Sequence, residues 1–223
     1  SSSQTSASNS LISKISTKII SMLSEYSVQQ EDVVGVDITP NSIRLAQLSK
    51  KDADEDWVVE KLNYRHLERV DDVAASIDKI ADEIIAAHKA GKFTTNNAAV
   101  SLPVSSSIVK VITMPLMTED EMNRAINYDS LWENLTQLPD TLDTYSIFHQ
   151  TIRKDPKTNV MDVLFVASKL SDVNIYLEIV KKANLTPVVL DVRCFALRNA
   201  FETKNMKEMT EAPLAILEIG SAE

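Results

Sequence analysis

Glycine is scarce: the 223 residues contain three, where average usage of about 7% would supply roughly 16. Gly35, Gly91 and Gly220 therefore mark positions worth locating. Cysteine is scarcer still. The lone Cys194 can neither close an internal disulfide nor supply a multi-thiolate zinc site, and such scarcity fits a reducing, cytoplasmic compartment. Long apolar runs are missing too. The longest, Ile108 to Met117 and Pro187 to Val192, are too short or too charged to supply the about 20 apolar residues that span a bilayer, so no direct membrane span is expected. Positive charge is in deficit, with 23 Lys+Arg against 32 Asp+Glu and a net charge of -9. No global field attracts a phosphate backbone, so nucleic acid is not expected as a partner.

What is present is the composition of a folded domain, 44% hydrophobic and 25% charged. Residues 1–10 carry no large apolar side chain and read as a flexible leader. Leu11, Ile12, Ile15, Ile19, Ile20, Met22 and Leu23 then recur at three-and-four spacing, which predicts an amphipathic helix over 10–26. Its stripe packs on the domain or a neighbouring chain, or lies on a membrane surface. From Val33 the period changes to two. VVGVDI, a turn at Thr39, Pro40 and Asn41, and SIRLAQLS predict a hairpin, with Ile43, Leu45 and Gln47 on one face. A third strand follows at 57–64. Asp71 and Asp72 are placed to cap a helix whose stripe is Val73, Ile77, Ile80, Ile84 and Ile85 and whose C-cap is Gly91.

A strand at 98–103 comes next. Strand 107–113 alternates Ile108, Lys110 and Ile112 with Val109 and Val111, and Thr118 with Glu121 forms a capping box for a second helix. Strands at 143–153 and 159–168 flank the turn DPKT. A helix over 172–183 is expected to bury Val173, Tyr176, Leu177 and Val180, and strand TPVVLDV, helix CFALRNAF and strand APLAILEIG complete the series. Three antiparallel strands, a helix, a strand, then helix, strand, helix, strand is the ribonuclease-H-like order, interrupted by a βαββ piece at 105–169.

The residues also carry a family resemblance. GVDITPNSIRLAQLSK resembles the first phosphate-binding hairpin of actin-like ATPases of the PilM and FtsA type. AAVSLPVSSSIVKVITMPLMTEDEMNRAINYDS and ANLTPVVLDVRCFALRNA are similar to PilM segments, and LAILEIGSAE resembles a second phosphate loop. The resemblance covers 33–223. It implies actin-like subdomain 1A from 32–104 and 170–223, subdomain 1C inserted as 105–169, and residues 1–31 as leader plus helix. It further implies a second lobe that this chain stops short of.

The resemblance also implies a site. Asp37 would hold water on the Mg²⁺ of a bound ATP, since a hard cation prefers carboxylate oxygens. Thr39, Asn41 and Ser42 would wrap phosphates, and Glu218, Gly220 and Ser221 would form the second loop. Two departures weaken this: Pro40 has no N–H to donate, and Glu218 stands where the family usually has aspartate. The plainer reading makes Asp37 and Asn41 hairpin-turn residues and Glu218 a strand-end charge.

No residue beside these loops offers itself as a water-activating base, and the resemblance implies that binding rather than catalysis is the main activity. The resemblance implies a cytoplasmic scaffold of type IV pilus assembly, held at the inner membrane by a partner. It would take the N-terminal peptide of a PilN-like protein in a groove between subdomains, touching Val109, Val111, Val173 and Tyr176. Other pilus assembly proteins and a second copy of the chain are further partners that the resemblance allows. Two alternatives stand beside it: a nucleotide-gated actin-like ATPase, and an FtsA-like membrane-associated division or assembly protein. His66, His88 and His149 lie on separate elements without ligand spacing, and Cys194 reads as core.

Overall fold

Apolar residues at every second position make β1 (Val34–Thr39) a strand with one buried face: Val34, Val36 and Ile38 are all at most 2% exposed. The computed structural model describes residues 32–49, 57–126, 138–205 and 215–218. A two-residue turn, Pro40 and Asn41, carries β1 into the antiparallel β2 (Ser42–Ser49), with Thr39 opposite Ser42. The carbonyls of that turn are used: Pro40 O accepts from Val70 N and Asn41 O from Leu67 N, both at 2.7 Å. Ile43, Leu45 and Gln47 share the buried face as expected. The third strand, β3 (Val58–His66), pairs antiparallel with β2.

A 3₁₀ turn over Ala74–Ser76 precedes α1 (Ile77–Ala90). Asp72 Oδ1, one residue ahead of the turn's N-cap Val73, accepts from Ala75 N at 3.0 Å, and the α-helix begins later than expected. Gly91 is the C-cap, but its φ of -77° is ordinary. The left-handed residue is Lys92, with φ 53°. Glycine is required at 91 for another reason, because a Cβ there would collide with the ring of Phe93.

β4 (Asn97–Leu102) runs parallel to β1, and β8 (Thr186–Val192) parallel to β4. The first sheet is thus ordered β3-β2-β1-β4-β8. Between β4 and β8 the chain builds β5 (Ser107–Pro115), α2 (Glu119–Ile126), β6 (Tyr145–Asp155), β7 (Val160–Lys169) and α3 (Leu170–Lys182). Strands β5, β7 and β6 form a second, antiparallel sheet in that order. α4 (Arg193–Asn205) follows β8 directly.

Two cores result. Ile80, Ala81, Ile84 and Ala87 of α1 and Tyr176, Ile179 and Val180 of α3 pack on the Val34, Val36, Ile38, Ile43 and Leu45 face. Removing that area from water stabilises the fold by roughly 25 cal/mol per Å². Ile112 and Met114 with Met161, Val163, Phe165 and Ala167 make the second core, against α2 and its buried Met122. The capping box forms reciprocally: Thr118 N donates to Glu121 Oε2 at 2.8 Å and Glu121 N to Thr118 Oγ1 at 3.3 Å. The bonds its carboxylate accepts from Thr118 N and Thr118 Oγ1 hold the Glu121 carboxyl below its ordinary range.

On α3 the deeper anchor is Ile179, fully buried, while Leu177 is only half-buried. Helical phase rotates the stripe by one position. The strand expected over 212–220 is corrected where it is described: residues 215–218 are irregular and Leu217 is 83% exposed. A strand needs a ladder partner for its N–H and C=O groups, and none of the described strands pairs with this segment. The helix expected over 10–26 lies outside the described residues.

Candidate functional site

Alternation along β1 turns Asp37 away from the core face, beside Ser101 of the parallel neighbour β4. Ser101 Oγ donates to Asp37 Oδ1 at 2.7 Å. The same oxygen accepts from Arg193 Nε at 3.1 Å and lies 3.1 Å from Arg193 Nη2. Nη2 also donates to the carbonyl of Ile38 at 3.0 Å. Arg44 Nη1 reaches the other oxygen, Oδ2, at 3.4 Å. Asp37 is therefore charge-compensated by two guanidinium groups, one of them buried.

The expected phosphate turn is present but turned inward. Thr39 Oγ1 lies 2.7 Å from Ser42 Oγ, 3.1 Å from Asn41 Oδ1 and 3.2 Å from Ser42 O. Its one hydroxyl proton can serve only one of these, and Ser42 is buried. This hairpin does not fit the magnesium role: an ion held through Asp37 would have to approach a carboxylate already occupied by two cations and a hydroxyl. Of the second loop, Glu218 is exposed, and Gly220 and Ser221 lie outside the described residues. Among the described residues no three His, Cys, Asp or Glu side chains converge as a metal site.

A concavity lies elsewhere, where the outer face of the second sheet meets β8, α3 and α4. It encloses about 440 Å³, within the range of ligand-binding clefts. Phe148, Leu164 and Val166 come from the sheet, Val173 from α3, Leu190 and Val192 from β8, and Phe195 from α4. Gln150, Asp191, Arg198 and Asn199 add polar groups. Phe148 is 56% exposed, unusual for a phenylalanine. Val166 lies opposite both Phe148 and Val109, and Leu164 opposite both Gln150 and Val111. Val109 and Val111, exposed at 38% and 59%, thus extend the groove floor sideways.

Of the four expected contact residues, Val109, Val111 and Val173 lie on or beside this groove. Tyr176 does not. It is 6% exposed in the first core, one turn along α3 from Val173, which packs partly against the same core and reaches the groove at its edge. Burial raises the carboxyl pKa of Asp191, against the bond it accepts from Val192 N. Burial likewise pushes the Cys194 thiol up, away from a reactive thiolate. Arg198 is tethered at 2.7 Å to Glu202, one turn on. A second hollow of about 390 Å³ is lined by one face of α3 alone.

Sequence reasoning missed Phe148, Phe195 and Arg193. Phe148 was legible from alternation, since its neighbours Ile147 and His149 take the other face. Arg193 carried no local signal, because its partner is 156 positions away.

A family model described as type IV pilus assembly protein PilM matches residues 35–223. A solved structure of a PilM-PilN type IV pilus biogenesis complex matches with a TM-score of 0.66 at 20% identity, over 80% of this chain and 52% of that one. The chain thus spans about half the length of that structure's chain, and the likeness extends to the fold. The cytoplasmic domain of EpsL, an inner membrane component of the type II secretion system of Vibrio cholerae, matches at TM-score 0.45 and 10% identity, over 73% of this chain and 57% of that one. A Bacteroides thetaiotaomicron protein with an actin-like ATPase fold matches at 0.40 and 9%, over 80% and 58%. No curated protein matches.

Proposed function

The chain belongs to the family of type IV pilus assembly proteins PilM, and from that premise we propose that it is an assembly scaffold that holds a short segment of a PilN-like membrane protein in the groove between its two sheets. The observation that carries this reading is the groove itself. It joins apolar side chains from β7, β8, α3 and α4 around a half-exposed phenylalanine of β6, the form in which side-chain pockets receive a peptide. Exposed apolar surface of this kind on an otherwise acidic chain marks a protein contact.

In this reading 32–104 and 170–223 correspond to subdomain 1A and 105–169 to an inserted subdomain 1C, with a second lobe beyond. The groove is then their junction, and the partner's own membrane anchor holds the scaffold at the cytoplasmic face of the inner membrane. No helix among the described residues is long and apolar enough to cross a membrane.

Binding rather than turnover is the activity. The clamp of Arg193 and Arg44 on Asp37 weighs against a nucleotide-gated ATPase, and the helix over 10–26 on which an FtsA-like tether would rest lies outside the described residues. Calorimetry of the chain against the N-terminal cytoplasmic peptide of a PilN-like protein tests the proposal. Micromolar affinity, about -8 kcal/mol, that Phe148→Asp abolishes supports it. Absence of heat at high peptide concentration sinks it.

A further inference from the structure

We infer that the guanidinium of Arg193 is the built-in counter-cation of Asp37, standing where the family resemblance puts a hydrated metal ion and locking the β1–β2 hairpin to α4 without one. The inference does not depend on the groove reading.

Three observations meet at this point. The carboxylate oxygen Oδ1 is filled, by two nitrogens of one fork and by the Ser101 hydroxyl at 2.7 Å. The fork is also tied to the backbone, with Nη2 on Ile38 O. A side chain so held, 8% exposed, cannot swing away as a surface arginine does. Finally, Arg193 opens α4, whose first turn carries no acidic residue. A cation there opposes the helix dipole, and burying it is costly unless an anion meets it. Asp37 supplies that anion from the far end of the sequence. The arrangement gives Asp37 what a metal would give, and a divalent ion arriving at it meets two positive charges first.

Thermal unfolding of the whole chain, in millimolar MgCl₂ or NaCl of matched ionic strength, tests this. The expected wild-type midpoint is the same in both. Asp37→Asn and Arg193→Met should each lower it by roughly 5–10 °C, and the double variant should lose no more than the worse single one. MgCl₂ should restore part of the loss in Arg193→Met, whose Asp37 is left without its buried partner, and none in the double variant. Arg193→Lys, which keeps the charge without the fork, should lie between wild type and Arg193→Met and serves if the latter does not fold. A rise of the wild-type midpoint in MgCl₂ that Asp37→Asn removes overturns the inference. So do additive losses, or an Arg193→Met variant as indifferent to MgCl₂ as the wild type.

Discussion

Gln47 and Thr94 hold each other from both ends of one amide: Nε2 donates to Thr94 Oγ1 at 2.8 Å, and Oε1 accepts from Thr94 N at 3.2 Å. Gln47 is 1% exposed on the core face of β2, so a strand of the first sheet is tied through a buried amide to the segment entering β4. A buried polar side chain is tolerated there because its donor and acceptor are both met.

Replacing Gln47 by Leu roughly keeps the volume and removes both bonds to Thr94. The expected cost is about 1–3 kcal/mol, a fall of roughly 2–4 °C in midpoint per kcal/mol for a chain of this size. Urea denaturation measures it, and a Leu variant as stable as wild type would show that water reaches Thr94 instead.

Gly91→Ala should be destabilising although its φ suits alanine. The added methyl meets the ring of Phe93, which is 8% exposed and stacks on His88 with centroids 5.5 Å apart. Overpacking of this kind costs about 1–3 kcal/mol. Adding Phe93→Leu should recover part of the loss relative to the two single changes. Strict additivity in the double variant would mean that the ring and the methyl do not compete.

Asp191 sets a pH dependence. Burial raises its pKa in the folded state, so the folded chain binds the proton more tightly than the unfolded chain does. Between the unfolded and folded pKa values stability falls as pH rises, and above the folded value the charge remains a cost. Asp191→Asn keeps an oxygen for Val192 N and removes that charge. Its midpoint should exceed wild type at pH 7, with the advantage fading as pH falls to about 4. An advantage equal at both pH values would assign the effect to something other than ionisation.

Phe148 and Tyr176 should separate binding from stability. Phe148→Ala, on a half-exposed ring in the groove, should weaken the PilN-like peptide by about 10-fold or more, as expected for an aromatic anchor, with little change in midpoint. Tyr176→Ala should cost about 3–5 kcal/mol of stability, because its ring fills the core between α3 and the first sheet. Thermal melts beside peptide titrations read both, and the reverse pattern would move the groove to the other face of α3.

Local pattern made much of the architecture legible. Period-two alternation located the hairpin from Val33, one residue before β1 begins, with the buried trio Ile43, Leu45 and Gln47. The Thr118 and Glu121 spacing started α2 where their reciprocal bonds now stand. These succeed because each is settled within a few residues, by pleat geometry or by capping. Where a neighbour distant in sequence decides, the reading slipped. Tyr176 was expected both in the buried stripe of its helix and on the partner surface, and it lies in the core, because the helix's rotation about its axis follows from what packs against it. Gly91 was placed correctly as a C-cap, yet the need for glycine comes from the ring of Phe93 rather than from backbone torsion.

The sequence by itself determined the order of strands and helices from β1 to α4, the βαββ piece that builds a second antiparallel sheet between β4 and β8, and the family, since all three are written in short-range periodicity and spaced motifs. Only the tertiary structure decided what Asp37 is for. Its chemistry depends on which charge stands against it, and that charge, Arg193, arrives from 156 residues away once β8 pairs in parallel with β4 and delivers the start of α4 to the open end of β1.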